Sequence, residues 1–172
     1  ASADARSEAS ALLGLALGLM SSRKTGSGIH ARLAGQAAFG AWASAMRSGV
    51  LPCLEGETPE CARRMAHADA LDMVNEGRYY AALYLEHLAS SLAGAETAAA
   101  AALKEAAVAF RIECGIVWDA VKLVDGPQRG PRMLEALADE DARIETSRLI
   151  LRAAAEEKRA AELLSAARRL FS

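Results

Sequence analysis

The alanine content of this chain constrains its fold more than any other feature. Alanine occupies 41 of the 172 positions, whereas strand-favouring β-branched and aromatic residues are few. Alanine forms helices well because it loses no side-chain entropy on folding, and its small side chain lets helices approach closely. We therefore predict an all-α fold, an antiparallel bundle of about five long helices. Residues 1–172 are long enough to form one domain with a genuine core.

Glycine and proline divide the chain into segments of helical length. The third segment has a good start, with Thr58 as N-cap and Pro59 at the first helical position. We expect this helix to continue through Gly77, although glycine costs about 1 kcal/mol there relative to alanine. Residues 50–57 and 125–131 read as loops. The predicted helices span residues 4–22, 29–48, 58–92, 96–123 and 139–170, with a short turn at 132–137.

Charge and cysteine usage exclude several classes of function. The net charge is −2, from 20 basic and 22 acidic residues that are interspersed, so we expect no nucleic-acid partner. The apolar run 9–20 is too short to cross a bilayer, which argues against a membrane protein. The three cysteines are an odd number without metal-type spacing. We expect reduced thiols in a cytoplasmic protein, although Cys53 and Cys61 could be bridged.

Catalytic and metal-binding patterns are scarce in the sequence. A di-iron bundle needs Glu-x-x-His on two helices, and the chain contains no such motif. Cys114 lies in an apolar helical segment without an adjacent base, which indicates packing rather than nucleophilic catalysis. Phosphate-loop and dinucleotide motifs are missing as well. We therefore expect no metal, no cofactor and no catalytic residue, and leave enzymatic activity open.

The segment 66–88 on the predicted third helix holds all three tyrosines and two of the three histidines. Asp69, Asp72 and Glu76 follow one another at i, i+3 and i+7, so they form a carboxylate stripe on one helical face. A solvent-facing stripe is the commoner arrangement, because carboxylates are rarely buried. The functional alternative is a buried polar cluster in which Arg78 pairs with these carboxylates.

The remaining aromatic residues can share one interior. Their spacing on successive helices suits either core anchors or a ligand cage. Tyr79 and Tyr80 differ by about 100° around the helix, so one of them should serve an interface, a pocket or the surface. The pattern Glu156-Glu-Lys-Arg159 predicts a solvated face of the last helix. The interior candidates are Phe39, Trp42, Tyr80, Tyr84, Phe110 and Trp118.

Several segments resemble a bacterial helical domain. Gly35-Gln-Ala-Ala-Phe-Gly-Ala-Trp-Ala-Ser-Ala-Met46 is similar to the Gly-x-x-Ala-Tyr/Phe-x-x-Trp-x-x-x-Leu motif of that domain. It forms the C-terminal half of proteins similar to butirosin biosynthesis protein H. Residues 69–85, with Asn75-Glu-Gly-Arg-Tyr-Tyr-Ala-Ala82, look like its acidic-to-Arg-x-x-Ala-Ala helix. The likeness extends over residues 29–168 and adds the segments 103–118 and 149–158.

The resemblance implies a limited function for this chain. In such proteins a papain-like cysteine-peptidase fold precedes the helical half and carries the nucleophile. The named member acts as an acyltransferase on an acyl-carrier-protein thioester. Nothing in this chain resembles that first half, so its catalytic cysteine is not transferred to Cys53, Cys61 or Cys114. The chain would then correspond to the helical module alone.

Our first hypothesis is a non-catalytic module that binds a small molecule or a partner protein through the polar face of the third helix. Arg78 would take an anionic group, the carboxylates would orient a polar one, and the aromatics would form an apolar wall. The alternatives are an accessory half of a papain-like acyltransferase- or peptidase-type enzyme and a structural homodimerisation bundle. The candidate ligand-binding residues are Trp42, Asp72, Glu76, Arg78, Tyr79, Tyr80 and Trp118.

Overall fold

A computed structural model describes residues 3–22, 24–25, 32–33, 35–49, 58–92, 97–123 and 131–171. The prediction of an all-α bundle is confirmed: over these ranges the chain forms five long helices and the eight-residue α5. Two short strands, β1 (Lys24–Thr25) and β2 (Arg32–Leu33), pair in antiparallel fashion. The helices are α1 (Ala3–Ser21), α2 (Gly35–Ser48), α3 (Pro59–Ser91), α4 (Thr97–Leu123), α5 (Pro131–Ala138) and α6 (Glu140–Arg169).

The last helix organises the packing, since α6 contacts α1, α2, α4 and α5. Gln36 near the start of α2 donates to the carbonyl oxygen of Ala154. Seven residues further along α2, the carbonyl oxygen of Ala43 accepts from Ser147. Because the α2 positions rise while the α6 positions fall, these two helices are antiparallel. The α4 helix packs against both α3 and α6.

The helix boundaries agree with the sequence at most ends. Helix α3 begins at Pro59 and passes through Gly77, where an added Cβ would meet nothing within 4 Å. Helix α6 has Asp139 as its N-cap, whose side chain accepts from the backbone N–H of Ala142 at 2.9 Å. The predicted loop 50–57, with Cys53, lies outside the described residues, as do residues 125–130 of the predicted loop 125–131 and the side chain of Cys61. The last residue of that loop, Pro131, begins α5.

The start of the second helix was predicted wrongly. It begins at Gly35 rather than near residue 29, and Arg32–Leu33 pair with Lys24–Thr25 instead. Gly35 has a φ of 54°, and a Cβ there would clash with the carbonyl oxygen of Met20. This close approach to the end of α1 requires glycine in the left-handed region, and a continuous helix cannot pass through such a residue.

Buried apolar residues form two clusters at opposite ends of α3, α4 and α6. The first core adds residues of α2 and α5, and the second core adds residues of α1. The first core comprises Phe39, Ala43, Met46, Ala68, Leu71, Ile116, Val117, Ala120, Val121, Leu137, Leu149, Ile150, Ala153 and Ala154. The second core comprises Leu13, Met20, Ala82, Leu85, Ala89, Leu92, Ala100, Leu103, Ala106, Ala107, Ala109, Phe110, Ala160, Leu164 and Ala167.

The aromatic residues do not share one interior, which corrects the prediction from their spacing. Phe39 and Phe110 are buried, but Tyr80, Tyr84 and Trp118 are 60%, 42% and 42% exposed. The buried face of α3 is instead made of small and aliphatic residues such as Ala82, Leu85 and Ala89. Trp118 follows the buried Val117 and therefore points about 100° away from it.

Among the described residues, none of the helices combines the length and the apolar character needed to cross a bilayer.

Candidate functional site

A cluster of one arginine and two glutamates lies between the two cores. Arg78 of α3 donates from Nε and Nη2 to the two carboxylate oxygens of Glu157 of α6, each at 2.6 Å. Oε1 of Glu113 on α4 lies 3.6 Å from the same Nε. Both glutamate side chains are completely buried, whereas the Arg78 side chain is 27% exposed. Three helices thus place their charged residues at one point.

The glutamates are buried because they occupy the apolar faces of their helices. Glu157 follows Ala153 by four residues and precedes Ala160 by three, and both alanines belong to the cores. Glu113 lies three residues after Phe110, and the Cζ of Arg78 lies 5.6 Å from the centre of that ring. At this distance the ring face attracts the guanidinium, which adds to the ion pair.

Glu113 differs from Glu157 in its bonding. Neither oxygen of Glu113 receives a hydrogen bond from any described residue. Burial raises the pKa of Glu113 to about 9, the negative charge of Glu157 adds to the rise, and Arg78 opposes it. Burial therefore favours the protonated form of Glu113. The guanidinium is hydrogen-bonded to one of the two carboxyl groups, that of Glu157.

A cavity of about 380 Å³ opens beside this cluster. Its size falls within the range of about 300–1,000 Å³ that is usual for small-molecule sites. The walls are predominantly apolar, and among the described residues of the lining Arg78 and Glu157 are the charged side chains. Apolar lining residues include Leu12, Leu13 and Leu19 of α1, Leu85 of α3, Phe110 of α4 and Leu164 of α6.

Arg78 retains hydrogen-bonding capacity at the edge of this cavity. A guanidinium has five N–H donors, and the bonds to Glu157 engage Nε and Nη2. Nη1 donates to none of the described residues. Since Arg78 lines the cavity, the site offers an apolar enclosure together with an uncommitted donor.

The structure separates the residues that the sequence proposed as a ligand site. Of the seven, Arg78 lines the cavity and the other six do not. Asp72, Glu76, Tyr79 and Tyr80 are exposed on α3. Glu76 and Arg78 are two residues apart and so differ by about 200° around the helix, which places them on opposite sides. Trp42 packs against the first core, and Trp118 lies on the surface of α4.

The exposed side of α3 carries a second, solvated ion pair. Arg111 donates from Nε and Nη2 to both oxygens of Glu86, at 2.7 and 2.8 Å. The Cζ of Arg111 also lies 5.8 Å from the ring centre of Tyr79. The geometry is like that of Arg78 with Glu157, but both side chains are 42% exposed, so water screens the attraction.

Sequence reasoning missed both glutamates of the cluster. Glu157 was assigned to a solvated face, which is wrong because its side chain is fully buried against Arg78. The signal was its register, since Ala153, Ala160 and Leu164 stand at −4, +3 and +7 from it on one face. Glu113 has the same signal between Phe110 and Val117. A carboxylate inside an apolar stripe is the pattern that identifies the cluster.

His67 is a further buried polar residue that the sequence did not indicate. Its Nδ1 accepts a hydrogen bond from Nε1 of Trp42 at 3.3 Å, and Nε2 has no partner among the described residues. Burial lowers the pKa of His67 to about 4, so the ring is neutral at pH 7. The space beside it, between Trp42, Leu71 and Ile150, has no room for a water molecule. This part of the molecule is packed rather than open.

Cys114 has the environment of a packed thiol. Its Sγ lies 3.4 Å from the carbonyl oxygen of Asn75 and is the donor of that hydrogen bond. Burial raises the pKa of the Cys114 thiol, and the neighbouring Glu113 adds to the rise. Such surroundings disfavour the reactive thiolate. Within the described ranges, no group of three or more histidine, cysteine and carboxylate side chains comes together as metal ligands would.

No model of a known protein family, no curated protein and no solved structure matches the chain. The resemblance to the helical half of butirosin biosynthesis protein H-like proteins therefore stays a prediction. The fold and the site define an α-helical bundle that has a small-molecule-sized cavity beside a buried Arg78–Glu157–Glu113 cluster.

Proposed function

We propose that this chain is a non-catalytic binding module that holds a small, largely apolar molecule in the cavity beside Arg78. The observation that carries the proposal is the cavity itself, about 380 Å³ with apolar walls and a charged pair in its lining. Pockets that combine apolar walls with a few converging polar groups are the usual form of ligand sites. In this proposal the polar contact still comes from the third helix. It comes from Arg78, which lies on the side of α3 opposite Glu76.

Apolar side chains at the cavity support this proposal. Leu12, Leu19 and Tyr84 line it, yet they are 43%, 55% and 42% exposed. Covering apolar surface yields about 25 cal/mol per Å², so a ligand that reaches these residues gains affinity from them. A ligand with an apolar body suits these walls better than a sugar or a nucleotide, whose many polar groups would lose water without partners.

The proposal is tested with the neutral, apolar fluorophore N-phenyl-1-naphthylamine, which brightens in apolar surroundings. We expect saturable binding to the wild-type chain with one site per molecule. Ala81→Leu fills the cavity, because Ala81 is in its lining, and should weaken binding at least tenfold. Ala155→Leu on the exposed side of α6 is the matched control and should bind like the wild type. Circular dichroism verifies that both variants fold.

Two results would contradict the proposal. The first is wild-type protein that gives no saturable signal. The second is an Ala81→Leu variant that binds as tightly as the Ala155→Leu control, since the fluorophore would then occupy another surface.

A homodimer is the second candidate, because apolar side chains also lie on the outside of α1 and α3. Leu15, Leu19 and Tyr80 are 63%, 55% and 60% exposed. Light scattering across a concentration series checks self-association, and the dye titration is read at concentrations where the chain is monomeric. The proposed location is the cytoplasm, on the expectation that the cysteines stay reduced.

A further inference from the structure

The charges around the cavity are already balanced. From α3 the cluster receives the positive Arg78, and from α6 it receives the negative Glu157, whose two oxygens both accept from Arg78. From α4 it receives Glu113, whose oxygens accept no hydrogen bond from the described residues. Burial and the negative charges of Glu157 and Glu156 on α6 oppose ionisation of Glu113, whereas Arg78 favours it. Arg78 and Glu157, joined by two hydrogen bonds, form a neutral pair, and a protonated Glu113 leaves that balance unchanged.

This balance disfavours charged ligands in the cavity. A carboxylate would be a second anion beside Glu157, or would displace it and leave Glu157 buried without a counter-ion. An ammonium would be repelled by the positive charge of Arg78. The oxygens of Glu157, which could balance an ammonium, already accept from the guanidinium. Either charge would lose its hydration between leucine side chains and receive no full counter-charge in return.

An uncharged acceptor avoids both costs. Arg78 has an Nη1 that donates to none of the described residues, and its side chain lies in the cavity lining. A carbonyl oxygen can accept from this nitrogen and leaves the charge balance unchanged. A hydrocarbon would contact the apolar walls equally well but would offer no acceptor to Nη1 of Arg78.

We infer that the cavity takes an apolar molecule whose polar end is an uncharged hydrogen-bond acceptor, such as a ketone, ester or amide carbonyl, received by Nη1 of Arg78. This inference rests on the proposed binding function and specifies the ligand class for the same site. It also revises the expectation that Arg78 takes an anionic group, because Glu157 already fills that role.

The test uses four probes with matched eight-carbon bodies at pH 7: octan-2-one, octanoate, octylammonium and octane. Binding is followed by NMR of the leucine methyl groups, with Leu13, Leu85 and Leu164 reporting occupation of the cavity. The Nε–H signal of Arg78 reports on the polar end. We expect octan-2-one to bind at least tenfold more tightly than octanoate or octylammonium, and more tightly than octane, and to shift the Arg78 signal.

The possible results separate the inference from the function on which it rests. If no probe shifts the cavity methyl signals, the binding function itself is overturned. If octane and octan-2-one bind equally, the cavity is a ligand site but the carbonyl has no role. If octanoate or octylammonium binds best, the charge-balance argument is wrong while the binding function stands.

Removal of the carboxylates provides a second, independent test. In Glu157→Gln, the nearby Glu113 can lose its proton and become the counter-ion, so the preference for octan-2-one should persist. In the double variant Glu113→Gln/Glu157→Gln, Arg78 has neither carboxylate, and the preference should reverse to octanoate by at least tenfold. The matched control is Glu105→Gln/Glu162→Gln, which removes two exposed carboxylates from the same helices. A double variant that folds and still prefers octan-2-one would overturn the inference, and the wild-type series decides the matter if it does not fold.

Discussion

The two cores lie on the same three helices but are built differently. In the first core five of fourteen residues are alanine, and large side chains such as Phe39, Met46 and Ile150 fill the space. In the second core eight of fifteen residues are alanine. The first core has no room for a water molecule beside Trp42, whereas a cavity of about 380 Å³ opens beside the second.

The difference shows how an alanine-rich helix pair can both pack closely and leave a void. Alanine lets α4 approach both α3 and α6, but it leaves little side-chain volume to fill the space toward a helix that lies further out. Helix α1 covers this end, and its leucines meet the cavity instead of a filled interior. Interiors are normally close-packed, so a void of this size is a feature to test.

The largest effect is expected where the two cores meet. Arg78→Met removes the counter-ion of a fully buried Glu157, and breaking one partner out of a buried ion pair costs about 3–5 kcal/mol. The loss is measured as the free energy of unfolding in urea. Arg111→Met is the matched control, because it breaks a bidentate pair of similar geometry on the surface. We expect a small effect there, since water already screens that pair.

Similar losses in Arg78→Met and Arg111→Met would contradict this assignment. They would mean that the Arg78 cluster is hydrated in solution, and the boundary between the cores would then be open to water.

The packing contrast is tested by adding volume to each core. Ala153→Leu forces a larger side chain into the first core, where overpacking should cost about 1–3 kcal/mol. Ala81→Leu places the same side chain in the cavity lining and should raise stability by about 0.5–1 kcal/mol. Urea unfolding of the two variants provides the comparison. Equal destabilisation by both would show that the second core closes around its cavity in solution.

The helical framework was largely readable from the sequence for local reasons. The alanine content and the positions of glycine and proline predict the helices, and Thr58-Pro59 and Asp139 mark two of the helix starts. The β1–β2 pair was missed because two residues per strand carry no periodicity. The late start of α2 also depends on how close Gly35 comes to Met20, which is a contact between distant parts of the chain.

The site was only partly predictable. Arg78 was among the proposed residues and lines the cavity, but its partners were sought on its own helix. Glu113 and Glu157 were recognisable as carboxylates within apolar stripes, yet the sequence does not say which stripes face one another. The cavity could not be predicted at all, since it is the space that remains between α1, α3, α4 and α6 after they pack.

The last contrast concerns the dependence of stability on pH, which distinguishes the cluster from the first core. Glu113 has a pKa of about 9 when folded, against 4.5 as a model value, so the folded state holds a proton that the unfolded chain has lost. The free energy of unfolding therefore falls as pH rises between these values. His67 acts in the opposite direction. Its folded pKa is about 4 against 6.5, so stability rises with pH across that window.

The two contributions cancel between about pH 4.5 and 6.5 and leave only that of Glu113 above pH 6.5. We therefore expect urea midpoints of the wild type to be level in that range and to fall from pH 6.5 to 8.5. Glu113→Gln should abolish the fall and retain a rise at low pH, whereas His67→Gln should let the fall begin near pH 4.5. Glu105→Gln removes an exposed carboxylate from the same helix and should change neither the rise at low pH nor the fall above pH 6.5. If Glu113→Gln keeps the wild-type decline, the extra proton lies elsewhere, and Arg78 is then balanced by two carboxylates rather than one.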